Sequence, residues 1–125
     1  MLVDTTFWAD LERERRQGQR GPARQFLTRH RTHELRISII TWGELATGVS
    51  AVDELERLLS GVRVLMLPRQ VAWRASRLQR QLAETGGELG ENDNWIAATA
   101  LTWGLRLVTR DEAFRRVPRL NVVSY

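Results

Sequence analysis

The feature that most constrains the fold of this chain is an alternation of short apolar runs with longer segments of helical periodicity. Short strands are predicted at residues 1–3, 36–40, 63–67, 106–108 and 121–123. Helices are predicted at 7–16, 22–31, 42–49, 52–59, 70–84 and 92–103, with a helical turn at 112–115. Because helices separate most of the successive strands, the strands are expected to pair in parallel and to be covered on both faces. The sequence therefore predicts the α/β class, as a single-domain α/β/α sandwich with a mostly parallel central sheet.

The size and composition of the chain suit one domain that spans residues 1–125. Hydrophobic residues make up 42% of the sequence, which is enough for a continuous core without disulfides or a structural metal. The absence of cysteine excludes disulfide frameworks, cysteine–zinc sites and thiol nucleophiles. No apolar run approaches the roughly 18 residues of a membrane span, and the first residues do not form a signal peptide. A cytoplasmic protein without a membrane segment is expected.

The positive charge of the chain comes entirely from arginine. The formal net charge is +4, and all 19 basic residues are arginine rather than lysine. Arginine stays protonated and its planar guanidinium suits phosphate oxygens, so a basic surface is consistent with a polyanionic partner. An arginine-rich proteome would produce the same composition without any such partner. The charge therefore supports a nucleic-acid function only alongside other evidence.

Most of the 15 acidic residues alternate with arginines on polar helix faces and are predicted to be solvated, for example Asp10, Glu12, Glu14, Asp53, Glu54 and Glu56. Four others have different settings. Asp4 ends the first strand, Glu44 lies just past the second, Asp111 follows the fourth, and Asp93 is in the first turn of an apolar helix. Ligands bind at the carboxyl ends of the strands in an open parallel sheet. We expect these four acids to lie at that edge.

Each of the four acids also has a purely structural interpretation. Glu44 is the acid of a capping box that begins at Thr41. Asp93 and Asp111 lie near helix N-termini, where the macrodipole favours a negative charge by roughly 0.3–1 kcal/mol. Asp4 is able to cap the first helix through its own side chain. For any single acid, the structural and the functional interpretations remain open.

The four acids taken together favour a metal site. Carboxylates that converge on one crevice repel one another, and partial burial adds a desolvation cost. Helix capping does not require the carboxylates to converge. A divalent cation would make such an arrangement favourable, because hard carboxylate oxygens are the ligands that Mg²⁺ and Mn²⁺ prefer. The hypothesis depends on the fold bringing the four residues together.

Four motifs in order resemble the PIN-domain family, and most closely its VapC-type toxin ribonucleases. They are Val3-Asp4-Thr5-Thr6, Ile39-Ile40-Thr41-Trp42-Gly43-Glu44-Leu45, Asn92-Asp93-Asn94-Trp95-Ile96-Ala97-Ala98-Thr99-Ala100-Leu101 and Leu107-Val108-Thr109-Arg110-Asp111-Glu112-Ala113-Phe114. The resemblance covers nearly the whole chain. It implies an α/β/α sandwich and a Mg²⁺- or Mn²⁺-dependent endoribonuclease.

The resemblance also implies which residues and partners serve that function. It places the catalytic and metal-binding acids at Asp4, Glu44, Asp93 and Asp111, with hydrogen-bonding support from Thr5, Thr6 and Thr109. The fourth motif of the family often has asparagine where this chain has Asp111, which makes Asp111 the one departure. The family further implies a homodimer and a separately encoded antitoxin that blocks the site.

Candidate RNA contacts lie next to these motifs. Arg110, Arg115 and Arg116 are candidates for holding RNA phosphates, or form a solvated basic face. Trp95 is a candidate for stacking on a base. The other tryptophans have helical spacings typical of core or interface positions: Trp8, Trp42, Trp73 and Trp103.

Features of the sequence argue against two other functions. His30 and His33 lie in an arginine-rich segment far from the acidic motifs, which argues against a paired-histidine ribonuclease. A receiver domain would need a lysine, and this chain contains none. A non-catalytic basic RNA-binding protein and a structure-specific DNA nuclease on the same fold remain the alternatives.

Overall fold

The computed structural model describes residues 1–125. Its strands are β1 (Leu2–Val3), β2 (Arg36–Ser38), β3 (Arg63–Leu65), β4 (Leu107–Val108) and β5 (Val122–Val123). Its helices are α1 (Thr5–Arg16), α2 (Pro22–Arg29), α3 (Ile39–Ala46), α4 (Val52–Leu58), α5 (Arg69–Ala83) and α6 (Glu91–Thr102), with a 3-10 helix at Glu112–Arg116. None of the helices combines the length and the apolar character that a membrane crossing requires.

The five strands form one sheet in the order β3-β2-β1-β4-β5. All four strand pairings are parallel, so the predicted parallel sheet is confirmed and contains no antiparallel edge. The strand order reverses at β1, since β2 and β3 lie on one side of it and β4 and β5 on the other. The crevice beyond the carboxyl ends of β1 and β4 is therefore the topological switch point, where ligands bind in such sheets.

Helices cover both faces of the sheet, as the predicted α/β/α sandwich requires. Successive side chains of a strand point to opposite faces, so Leu2 and Val3 of β1 enter different hydrophobic clusters. Leu2 packs with residues of α5 and α6, among them Leu78 and Ile96. Val3 packs with residues of α1 and α2, among them Phe7. The two apolar clusters hold the sheet from both sides and fix the strand ends.

The exposure of the tryptophans separates them into two groups. Trp8 is buried in the hydrophobic cluster that contains Val3 and Phe7. Trp42 is half-buried and packs against the same cluster. Trp73 and Trp103 are 66% and 47% exposed, so a core position is excluded for both. Trp73 lies on the face of α5 that points away from the sheet, where the guanidinium of Arg77 stacks over its ring at 4.5 Å.

The predicted second strand was too long by two residues. It ends at Ser38, and the next helix begins at Ile39 rather than at Trp42. The reason is a helix cap, because the Ser38 hydroxyl accepts a hydrogen bond from the backbone N–H of Thr41 at 3.0 Å. The β-branched Ile39 and Ile40 therefore begin α3 despite their strand propensity. The third strand is also shorter than predicted and ends at Leu65.

The prediction that Asp10 and Glu14 are solvated was wrong. Both are buried, with 3% and 5% of their surface exposed. Glu14 accepts the backbone N–H groups of Ala23 and Arg24 at 3.0 and 2.9 Å, and so caps the start of α2 from a neighbouring helix. Gly21 at the N-cap has no side chain to do this, and a Cβ there would lie 2.3 Å from Glu14 Oε1.

Candidate active site

Asp4 lies at the switch point, directly after β1, and its side chain is fixed on both oxygens. Oδ1 accepts the backbone N–H of Phe7 at 2.9 Å and caps α1, which confirms the capping role allowed by the sequence. Oδ2 accepts the hydroxyl of Thr109, and the Thr6 hydroxyl also bonds the carboxylate. Burial raises the pKa of Asp4 above its ordinary value, and the negative charge of Asp111 adds to the rise. The hydrogen bonds to the carboxylate act against this rise and lower the pKa of Asp4.

Thr109 connects Asp4 to the segment that follows β4. Its buried hydroxyl donates to Asp4 and accepts the backbone N–H of Asp111 at 2.9 Å. Asp111 in turn accepts the N–H of Ala113 at 2.8 Å and caps the 3-10 helix. One hydroxyl therefore sets the position of two of the four acids, across the crevice between β1 and β4.

Glu44 reaches the crevice from α3, and the capping-box interpretation of this residue was wrong. Thr41 is inside α3 and is itself capped by Ser38, so it does not begin the helix. The Glu44 carboxylate instead accepts the hydroxyl of Thr5 and, at 2.9 Å, the side-chain amide of Asn92. These two donors are 39 and 48 residues away in sequence, so Glu44 links the starts of α1 and α6.

Asp93 lies in the first turn of α6 and faces the other three acids. Burial raises the pKa of its carboxyl above the usual value, and the charges of Asp111, Glu44 and Asp4 raise it further. A carboxylate near a helix N-terminus would normally be stabilised in its charged form. The pKa of Asp93 is raised instead, first by burial and then by its acidic neighbours. The structure therefore brings the four predicted acids to one crevice.

No arginine neutralises this acidic crevice. The chain contains 19 arginines and forms seven ion pairs, but none of these ion pairs involves Asp4, Glu44, Asp93 or Asp111. The donor set is made only of hard carboxylate oxygens, which suits a divalent cation in its chemistry. No three of these side chains lie close enough together to hold a metal ion in this structure. The carboxylate oxygens of Asp4, Glu44 and Asp111 are instead held by the hydrogen bonds described above.

The arginines and the tryptophan predicted to contact RNA make other contacts in the structure. Arg110 pairs with the buried Asp10, and Arg115 pairs with Glu112. Arg116 donates to the backbone carbonyls of Ala113 and Glu88. The half-buried Trp95 packs against a cluster between α5 and α6, with Val71, Ala75 and Ala98. Binding of RNA by these four residues remains a prediction.

Sequence reasoning missed one polar member of the site, Asn92. This residue begins the third acidic motif, one position before Asp93, and its amide holds the Glu44 carboxylate. Its position in the first turn of α6 was visible in the sequence. Its partner was not, because the contact joins two helices that are far apart along the chain.

The fold and the site define an α/β protein with a carboxylate-lined crevice at the switch point of a parallel sheet. A model of the PIN domain matches residues 1–120, and the chain belongs to the PIN domain family. It is 29% identical over 101 residues to ribonuclease VapC4 of Mycobacterium tuberculosis, an alignment that covers 74% of this chain and 78% of that protein.

Solved structures show the same fold over almost the whole chain. The structure of VapBC2 from Rickettsia felis bound to a promoter DNA fragment matches with a TM-score of 0.83 and 20% identity, covering 98% of this chain and 96% of that one. A toxin–antitoxin complex from Klebsiella pneumoniae matches with a TM-score of 0.73 and 29% identity, covering 98% and 94%. These similarities confirm the predicted fold class.

Proposed function

We propose that this chain is a metal-dependent endoribonuclease and the toxin component of a type II toxin–antitoxin system. The observation that carries the proposal is the crevice at the switch point, where Asp93 is close enough to feel the charges of Asp4, Glu44 and Asp111, and where none of these four acids forms an ion pair. Membership of the PIN domain family and similarity to a ribonuclease support the same reaction. The substrate would be an RNA phosphodiester.

The acids would hold the metal ion that the reaction needs. Asp4, Asp93 and Asp111 are the proposed ligands, with Glu44 completing the set, and Mg²⁺ or Mn²⁺ is the proposed ion. Such an ion supplies a bound water of lowered pKa and neutralises the charge that builds on the phosphate. Burial and then the charges of Asp111, Glu44 and Asp4 raise the pKa of Asp93. The repulsion among these charges supports the assignment, because a nearby cation would offset it.

The hydroxyl and amide groups of the crevice would orient these acids. Thr109 holds one oxygen of Asp4 and the backbone of Asp111. Thr5 and Asn92 hold the two oxygens of Glu44 and aim its carboxylate at the crevice. Glu44 is then placed to orient the attacking water or accept its proton. Attack by water leaves a 5′-phosphate and a 3′-hydroxyl, and the RNA 2′-hydroxyl takes no part.

The contacts of the histidines support this mechanism over a paired-histidine one. His30 stacks on Phe26 with a ring separation of 4.0 Å, and its Nδ1 lies 2.9 Å from the Phe26 carbonyl oxygen. His33 packs edge-on against His30 at 5.4 Å. Both rings lie beside α2, and neither bonds to an acid of the crevice.

Two protein partners are part of the proposal. The similar structures include VapBC-1 from Haemophilus influenzae and the Klebsiella toxin–antitoxin complex, which supports a cognate VapB-type antitoxin for this chain. A homodimer is also proposed, and the exposed Trp73 and Trp103 supply apolar surface typical of an interface. Cellular RNA as the substrate places the reaction in the cytoplasm.

Cleavage of labelled tRNA and rRNA fragments tests the enzymatic proposal. Wild type is compared with Asp93→Asn and with a matched control, Asp53→Asn, which removes an exposed acid from the first turn of α4. We expect defined cuts with Mg²⁺ or Mn²⁺ that EDTA prevents, that Asp93→Asn loses and that Asp53→Asn keeps. Equal cleavage by Asp93→Asn would refute the assigned site. RNA bound but never cut would indicate a binding protein, and cleavage of DNA alone would indicate a DNA nuclease.

The toxin assignment has its own test. Expression of wild type in a bacterial host is expected to arrest growth, and expression of Asp93→Asn is not. Co-expression of a cognate VapB-type antitoxin is expected to restore growth. Unimpaired growth with active wild-type enzyme would contradict the toxin assignment and leave the ribonuclease assignment intact.

A further inference from the structure

Asp10 is a buried carboxylate that joins three separate parts of the chain. Its side chain, only 4% exposed, projects from α1 and accepts from the guanidinium groups of Arg13 and Arg110. Its Oδ2 also accepts the phenolic hydroxyl of Tyr125 at 2.7 Å, across 115 residues of sequence. Arg13 lies on the same helix as Asp10, whereas Arg110 and Tyr125 do not. We refer to Asp10, Arg110 and Tyr125 as the Asp10 latch.

The Asp10 latch contacts the segment that contains Thr109 and Asp111, two residues of the candidate active site. Arg110 stands between Thr109 and Asp111, and its guanidinium also lies over the Tyr125 ring at 5.5 Å. The paired side chain therefore restrains the backbone on both sides of Arg110. Within this segment, the hydrogen bond from the Asp111 N–H to the Thr109 hydroxyl fixes these two residues relative to each other.

The other end of the Asp10 latch touches the start of α1. The Tyr125 ring packs edge-on against Phe7, with ring centroids 4.8 Å apart. The backbone N–H of Phe7 is the group that donates to Asp4, the N-cap residue of α1. The Asp10 latch thus contacts both halves of the crevice, the β1 end through Phe7 and the β4 end through Arg110.

We propose that Asp10 is a positioning residue for the reaction, which acts through Arg110 to hold Thr109 and Asp111 in register with Asp4. This inference rests on the proposed ribonuclease function. It assigns Arg110 to the scaffold of the site instead of to RNA phosphates. The buried Asp10 carboxylate favours the paired position of Arg110, because separation would remove one of the two guanidinium groups that compensate its charge.

The variants Arg110→Gln and Arg13→Gln provide a matched test. Each removes one guanidinium from Asp10, but only Arg110→Gln releases the segment after β4. Misplacing catalytic groups by about 1 Å costs up to roughly a hundred-fold in rate, so we expect kcat for RNA cleavage to fall about ten-fold or more in Arg110→Gln. In Arg13→Gln the expected change is less than about two-fold. KM is expected to change little in either variant.

A double-mutant cycle separates positioning from RNA binding. If both residues act through one contact, Asp10→Asn combined with Arg110→Gln should lose no more kcat than Arg110→Gln alone. A rise in KM at unchanged kcat in Arg110→Gln, with additive effects in the double variant, would overturn the proposal. That outcome would mean that Arg110 binds RNA phosphates.

Amide hydrogen exchange tests the proposal without any enzymatic activity. The Asp111 N–H is expected to exchange at least about ten-fold faster in Arg110→Gln than in Arg13→Gln, because its bond to Thr109 opens more often. Equal exchange in the two variants would overturn the positioning role. A wild-type protein that cleaves no RNA would refute the proposed function, and the exchange measurement would still decide whether Asp10 positions this segment.

Discussion

Replacing Thr109 by valine tests the connection between two of the acids. Valine has nearly the same shape as threonine, so Thr109→Val keeps the packing and removes only the hydroxyl. That hydroxyl donates to the buried Asp4 carboxylate and accepts the backbone N–H of Asp111. Thr109 is 1% exposed, so water does not readily replace either bond.

The cost of Thr109→Val follows from these two bonds. A hydrogen bond to a charged group contributes about 1.5–3 kcal/mol, and a buried N–H left without a partner costs about 1–3 kcal/mol. The Asp111 N–H is only partly buried, so the lower end applies to it. We expect the free energy of unfolding to fall by about 3 kcal/mol near neutral pH. The pKa of Asp4 should rise further, because the Thr109 hydroxyl lowers it in the wild type.

Thr99→Val is the matched control for this experiment. Thr99 is also fully buried, but its hydroxyl donates only to the Trp95 carbonyl one turn earlier in α6. Loss of that neutral bond should cost about 0.5–1 kcal/mol. Urea unfolding of the metal-free protein gives both values. If Thr109→Val is no more destabilising than Thr99→Val, the Thr109 hydroxyl does not connect the two acids as described.

Three further predictions concern individual side chains of the site and its support. The raised pKa of Asp93 means that the folded chain binds the proton of this carboxyl more tightly than the unfolded chain does. The contribution of Asp93 to stability therefore falls as the pH rises from 3.8 through the raised value. Asp93→Asn should increase the free energy of unfolding at pH 7 and flatten that part of the pH profile, which urea titrations measure. Asn92→Ala should lower kcat for RNA cleavage, because Glu44 loses a hydrogen-bond donor at 2.9 Å. The free energy of unfolding, from thermal unfolding, should change by less than about 0.5 kcal/mol, since this bond is exposed. An unchanged kcat would show that the bond does not contribute to catalysis. Glu14→Gln should cost about 1–2 kcal/mol in urea unfolding, because one of two capped N–H groups of α2 loses a charged acceptor, and a cost near zero would contradict that capping role.

The sheet and the position of the acids could be predicted because both follow from general rules of topology. Strands that alternate with helices pair in parallel, and residues just past their carboxyl ends share one edge of the sheet. Asp4 follows β1 directly and Asp111 lies three residues after the end of β4, so both belong to that edge of the sheet. Val71, Ala75, Leu78 and Leu82 recur at helical spacing, which is enough to indicate the inward face of α5, and all four are buried.

The features that could not be predicted depend on contacts between distant segments. Asp10 and Glu14 have the spacing of solvated acids on a polar helix face, and only their partners at Tyr125 and at the start of α2 account for their burial. The end of β2 was misplaced because a single cap by Ser38 outweighs the strand propensity of two isoleucines. The bond from Asn92 to Glu44 joins α6 to α3 and leaves no local signal in the sequence.

Binding of Mn²⁺ to the metal-free protein tests most directly whether the four acids form a metal site. The signal of free Mn²⁺ in electron paramagnetic resonance is titrated with wild type, with Asp93→Asn and with the exposed-acid control Asp53→Asn. We predict that wild type and Asp53→Asn bind the ion and compete with Mg²⁺ for it, and that Asp93→Asn binds at least about ten-fold more weakly. Equal binding by wild type and Asp93→Asn, or no binding by wild type, would contradict the assignment.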